Sequence, residues 1–438
     1  MPSCTASQCC VLGVLGVLAC TPRPAPSPAT ASPSAPVEEQ KEPPPSSEPP
    51  PLPMPQGQAV SFPAQLSKVS QVRGLAPLSS IAGLRVSADE LIAHVERAVA
   101  LERPPTALRG TEIMLSLLGL VPGDFDLEST MLELLSGNLA GLYEPRLNLM
   151  LLRDGLADAE AEVTLLHELV HALQDQHYDL SEIVEWRADD SDVSSALSSL
   201  AEGDATSAML DGALPAGQTA LSIPLEQVEQ QFFSQLDSPA PAVLMRSLFA
   251  PYLDGLRFVH ELRERGGWAE VDRVWKHPPQ TTEQVLHLEK YDQFEPAIEV
   301  AVPAAPPGKW VEVLHDVWGE QTLRIVLEEW TDRATARAAA TGWGGDRIVA
   351  FEQGENRAMA WHIVFDDSAD AQEMFAAAKH GGGGQASGDD FCVEGRKRLA
   401  PLAFSLQGRQ VTIAAVANAE SASSCTVAQQ WAATQGED

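Results

Sequence analysis

Positive charge is what this chain has least of: 29 Lys and Arg stand against 61 Asp and Glu, a formal net charge of −32. A surface of that sign repels a phosphate backbone, so nucleic acid is excluded as a partner; what remains is solubility, or the steering of basic peptides. The first nineteen residues carry no charge at all, and the apolar run inside them, Val11 to Ala19, is too short to span a bilayer. A run of that kind is expected to be an export signal rather than a membrane helix. Internal repeats are lacking, and the glycine run Gly381 to Gly384 has no following helix signal that would make it a phosphate cradle.

What is present is strongly segmented. The apolar run ends in Val17, Leu18, Ala19, Cys20, which resembles the lipobox of bacterial lipoproteins. That resemblance implies lipidation of Cys20 and attachment to a membrane through the lipid, at the outer membrane where there are two. With Cys20 so used, Cys392 and Cys425 are the cysteines left in an exported chain and are expected to form a disulfide. From Thr21 to Pro55, 14 of 35 residues are proline, a composition that permits neither helix nor sheet and reads as a tether. The expected organisation is a signal over 1–19, a tether over 20–74, a mostly helical unit over 75–300 and a smaller α+β module over 308–438, an α+β protein and a monomer overall. Ser87 and Glu90 form a capping-box pattern at the first clear helix, and later helices are expected near 107–118, 128–135, 160–176, 192–210, 244–265 and 268–275. Between 137 and 153, two short apolar runs flank Glu144-Pro145-Arg146, which predicts a β-hairpin; its outer strand is either an edge that pairs with extended substrate or ordinary packing. The last module reads as helix, two strands (347–352, 357–366), helix, two strands (399–406, 410–417) and helix.

The stretch TLLHELVHALQDQHYDL, residues 164–180, carries the chemistry. His167 and His171 are four apart, about 40° of rotation and one ~5.4 Å turn, so both imidazoles leave one face of a helix and can share a cation. Glu168 lies about 100° around from His167, placed to reach a water on that cation and badly placed to ligate it. Leu165, Leu166, Leu169, Val170 and Leu173 bury the helix on most sides, and unpaired histidines would be costly there. His177 has the offset of the third ligand in HExxHxxGxxH enzymes, but Gln174 stands where their helix-breaking glycine would be. On a continuing helix His177 points roughly 120° away from the ligand face.

Thirty-one residues past His171, Glu202 is followed by Gly203 and Asp204 in an apolar helical pattern. This resembles the gluzincin arrangement, in which a glutamate from the next long helix completes a His, His, Glu zinc site. Gly203 is expected to let that helix approach the one bearing the histidines. The strings HELVHALQDQHYDL, AGLYEP, EGDA, PPQTTEQVLHLEKY and TGWGGDR together resemble a family of poorly characterised bacterial exported or lipoprotein metallopeptidases, over most of the chain from Asn138. The resemblance implies a zincin-like domain over 75–300, a zinc ion held by His167, His171 and Glu202, and Glu168 as general base on a peptide or protein substrate. A donor to the developing oxyanion is sought among Tyr252, His260, His287 and Tyr291, with His287 preferred because it lies in the TTEQVLH string. Asp204 or Thr206 is a candidate for orienting a ligand imidazole. The competing expectation is a catalytically inactive zinc lipoprotein that binds peptides or envelope components; it leaves the retention of Glu168 without a reason.

Overall fold

The computed structural model describes residues 52–102, 104–180, 189–233, 240–382, 385–387, 390–393, 399–418 and 425–435. The signal segment, Cys20 and the tether up to residue 51 lie outside the described residues. The architecture is α+β, with two separate sheets. No described helix is long and apolar enough to cross a membrane.

Structure begins earlier than the proline-rich composition suggested, and the tether assigned to 20–74 is corrected accordingly. Strand β1 (Gln58–Val60) and helix α1 (Pro63–Arg73) both fall inside it. Little in α1 announces a helix, since only Val69 and Arg73 are buried. Val69 and Leu66 pack against the core of α5, and an ionic contact is added: fully buried Arg73 donates from Nε to Asp204 Oδ1 at 2.6 Å, places Nη2 2.7 Å from Asp272 and lies over the Trp268 ring at 4.6 Å. Leaving that guanidinium buried without the carboxylates would cost about 3–5 kcal/mol.

Strand β2 (Ala82–Val86), helices α2 (Ala88–Glu102), α3 (Pro105–Leu117) and α4 (Leu127–Asn138), and the hairpin of β3 (Gly141–Glu144) and β4 (Leu149–Arg153) follow. Ser87 Oγ accepts from Glu90 N, so the expected cap forms at α2. The first sheet has the order β1-β2-β4-β3, with β2 and β4 parallel and the hairpin antiparallel. β3 is therefore an outer strand. Helix α5 (Asp158–Tyr178) starts with Asp158 and Glu160 at its positive end and runs unbroken through Gln174. Its Leu165, Leu166, Leu169, Val170 and Leu173 share a core with Met150 and Leu152 of β4 and with Ala205 and Ala208 of α6 (Ser191–Ala213).

Helices α7 (Leu225–Phe233), α8 (Ala242–Gly266), α9 (Trp268–Lys276), α10 (Thr282–Leu286) and α11 (Leu288–Gln293) complete the first unit. Gly203 was expected to bring α6 close to α5; its close approach is to α8 instead. A Cβ on Gly203 would lie 2.1 Å from the Gly255 carbonyl, and one on Gly255 would lie 1.9 Å from the Ser199 carbonyl oxygen. Two backbones thus touch where neither has a side chain. Gly255→Ala is expected to destabilise the fold by about 3 kcal/mol, the upper part of the usual overpacking range, because backbone and not a side-chain end must move. Denaturant unfolding checks this, and a midpoint equal to wild type would contradict so tight a crossing.

The second unit comprises β5 (Val311–Asp316), α12 (Gly319–Glu328), α13 (Arg333–Ala340), β6 (Trp343–Gln353), β7 (Asn356–Phe365), α14 (Ser368–Gly382), β8 (Gln385–Ser387), β9 (Asp390–Val393), β10 (Leu402–Gln407), β11 (Gln410–Ala417) and α15 (Cys425–Thr434). Its sheet is antiparallel throughout, in the order β5-β6-β7-β11-β10-β9-β8. Cys392 in β9 is bonded to Cys425 at the start of α15, as expected. The two units do not have separate cores. Ile113, Met114 and Leu117 of α3 and Val243 and Leu244 of α8 pack with Trp318, Trp343 and Trp361. Asp346 fixes the second unit's side of this junction, accepting from the backbone of Trp318 and Gly319 and from the indoles of Trp343 and Trp361.

Candidate metal centre

Helices α5 and α6 bring His167, His171 and Glu202 into one group. His167 Nε2 lies 3.1 Å from His171 Nε2 and 3.1 Å from Glu202 Oε2, and His171 Nε2 lies 3.5 Å from the same oxygen. The two rings stand edge to face, 4.8 Å apart at 81°. All three residues are buried. Donors held at ~2.0–2.1 Å in a tetrahedron around zinc are about 3.3 Å apart, so three donors at these spacings fit three corners of one such site. Two imidazole nitrogens and one carboxylate oxygen are also a donor set that suits zinc, and a fourth corner is left for water or substrate.

Charge in this group is self-consistent. Burial opposes ionisation of each partner, yet His171 and His167 hold Glu202 down to about 2, and Glu202, helped by Glu168 and Gln174, pushes His171 up to about 9. In the metal-free protein the raised His171 pKa contributes stability that is full below about 6.5, the ordinary histidine value, and is lost as pH rises through about 9. The depressed Glu202 contributes stability above the ordinary carboxylate value that is lost as pH falls toward about 2. Zinc must displace the His171 proton, so loading at pH 7 is expected to release about one proton per site, with affinity increasing from pH 6 to 8. Calorimetry in buffers of different ionisation enthalpy reads the release; an affinity independent of pH over that range would contradict it.

Glu168 sits beside this group with its two oxygens in different roles. Oε2 accepts from the backbone N–H of Tyr143 in β3 at 2.6 Å, while Oε1 is buried and has no hydrogen-bond partner among the described residues. Burial pushes its pKa up, against the pull of the two histidines, and Glu202 adds to the rise. Tyr143 is fixed in turn by its hydroxyl, 2.6 Å from Asp175 Oδ2 on α5. Sequence reasoning missed Tyr143, because its contribution is a main-chain N–H on the outer side of the hairpin. That N–H now belongs to Glu168, and all four β3 residues are buried, so this part of the edge is occupied from within the chain.

The other candidates separate cleanly. His177 is outside the group, with Nε2 donating to the Ala76 carbonyl at 2.8 Å. His287, the preferred oxyanion donor, is corrected: its Nε2 is 2.8 Å from Glu320 on α12, which raises its pKa, and no described hydrogen bond joins it to the triad. The TTEQVLH string instead forms a joint, where Thr282 donates to Asp192 of α6 and accepts from Gln321 N of α12. His260 pairs with Glu264, and the Tyr291 hydroxyl donates to the His277 carbonyl. Tyr252 is the one of the four that reaches a ligand, its buried ring stacked on His167 at 5.9 Å and 26°. It stands one turn before Gly255, and Glu202 immediately precedes Gly203, so the glycine crossing holds the helix of Tyr252 against the helix of Glu202. Asp204 does not orient an imidazole; it accepts from Arg73 and from the Trp275 indole.

Residues 309–426 match a family described as a domain of unknown function (DUF8575). That match covers the second unit up to the start of α15 and none of the metal-binding group. No curated protein and no solved structure matches the chain.

Proposed function

We propose that this protein is an exported zinc-dependent peptidase, anchored in the bacterial cell envelope by a lipid on Cys20, that hydrolyses peptide bonds with Glu168 as general base. The observation that carries the reading is the convergence of His167, His171 and Glu202 at 3.1–3.5 Å with an unpartnered Glu168 oxygen beside them. Zinc, when bound by these three, supplies Lewis acidity and an acidified water at its open position. The chain's own residues do the rest. Glu168 takes the water's proton on Oε1, the buried oxygen with no hydrogen-bond partner among the described residues, and passes it to the leaving nitrogen. Tyr143 N–H holds Oε2, so the carboxyl does not turn away. Tyr252, stacked on His167, is the phenol we assign to the oxyanion in place of His287.

The test is zinc content of the purified chain together with chelator-sensitive cleavage of casein or a peptide library. One zinc per chain with cleavage that a chelator abolishes and zinc restores is the expected result. Zinc without cleavage would favour the peptide-binding lipoprotein, and absence of zinc binding would overturn both.

A further inference from the structure

We infer that Gln174 is a positioning residue that sets the metal affinity of this site by fixing His171, while its second contact braces the two helices that carry the ligands. The inference rests on the zinc reading above. Gln174 lies three residues after His171 on the same helix face and is fully buried. Its Oε1 is 2.8 Å from His171 Nδ1, and its Nε2 donates to the Ala201 carbonyl at 3.0 Å.

The second contact determines the first. A carbonyl only accepts, so the amide nitrogen of Gln174 must face Ala201 and the amide oxygen must face His171. His171 Nδ1 therefore carries the proton, and Nε2, which points at His167 and Glu202, is the nitrogen left for an ion. Ala201 immediately precedes Glu202 on α6, so one side chain sets the rotation of one ligand and the spacing to the helix that bears another. His167 has no equivalent: its Nδ1 is buried without a hydrogen-bond partner among the described residues. Glycine at 174, the residue of the HExxHxxGxxH pattern, would remove both contacts.

Two substitutions separate positioning from packing, read by zinc affinity in chelator competition and by melting of the metal-free forms. Gln174→Leu keeps the bulk and removes both contacts; the expected result is zinc binding weaker by about 10- to 100-fold. Gln174→Glu keeps an acceptor for His171 but sets a carboxylate against the Ala201 carbonyl. It is expected to melt lower than the Leu variant while binding zinc within a few-fold of wild type. A merely structural Gln174 gives the same order in both measurements, the Glu variant being worse in each, and that result would overturn the inference. So would a Leu variant with wild-type affinity. If the Leu variant does not fold, the Glu variant still decides, since a 10-fold or larger loss of affinity there is incompatible with His171 needing only an acceptor. Failure of the wild type to bind zinc is a different outcome, and it removes the zinc reading itself.

Discussion

Glu168→Gln is expected to retain one zinc per chain and to lose peptide cleavage by a factor of about 10²–10⁴, the usual contribution of a positioned general base. The substitution is nearly isosteric, and the amide oxygen can still accept from Tyr143 N–H, so the hairpin should stay in place. Folding should not suffer either. Burial already disfavours the Glu168 carboxylate, and a neutral side chain removes that penalty. What is lost is the proton acceptor at Oε1, the oxygen with no partner of its own. Zinc content by metal analysis and cleavage rate on one peptide, wild type beside variant, make the comparison. Undiminished cleavage would refute the mechanism, whereas a lost zinc would show that Glu168 helps to hold the metal.

The ligand row was legible in the sequence because helical periodicity is a local rule. The four-residue offset from His167 to His171 fixes a shared face whatever else the chain does, and Gln174 at the place of a helix breaker was enough to remove His177. Glu202 was legible by its place in a second apolar helix. Contacts between distant segments were not. Nothing in the spacing of Tyr252, His260, His287 and Tyr291 ranks their distances from the metal-binding group, and the string that favoured His287 turned out to encode a joint with the second unit. Gly203 was recognised as a close-approach residue with the wrong partner, since a missing side chain does not specify what fills the space. α1 was hidden because only Val69 and Arg73 of it are buried, too few to make an apolar stripe. β5 was not among the expected strands, because its pairing with β6 shifts between Glu312 and Leu314, which breaks the alternation that marks a strand.

Glu202→Ala is expected to weaken zinc binding by more than about 100-fold, beyond what loss of an orienting partner alone would cost, because it removes one of three ligands and not merely a neighbour of one. The metal-free variant should still fold. Without Glu202, burial opposes the His171 charge against Glu168 and Gln174 alone, so its pKa falls and less charge is held buried. The sign of that change provides an independent check: the proton released on zinc loading of the wild type near pH 7 should diminish in the variant together with the affinity. His177→Ala is the control that gives the experiment its meaning. The Ala76 carbonyl it releases is at an exposed contact, so the variant is expected to bind zinc as the wild type does. If His177→Ala lost zinc and Glu202→Ala kept it, the third ligand would lie on α5 after all. The helix would then have to break near Gln174 in the loaded protein, which would also sever both contacts that Gln174 makes.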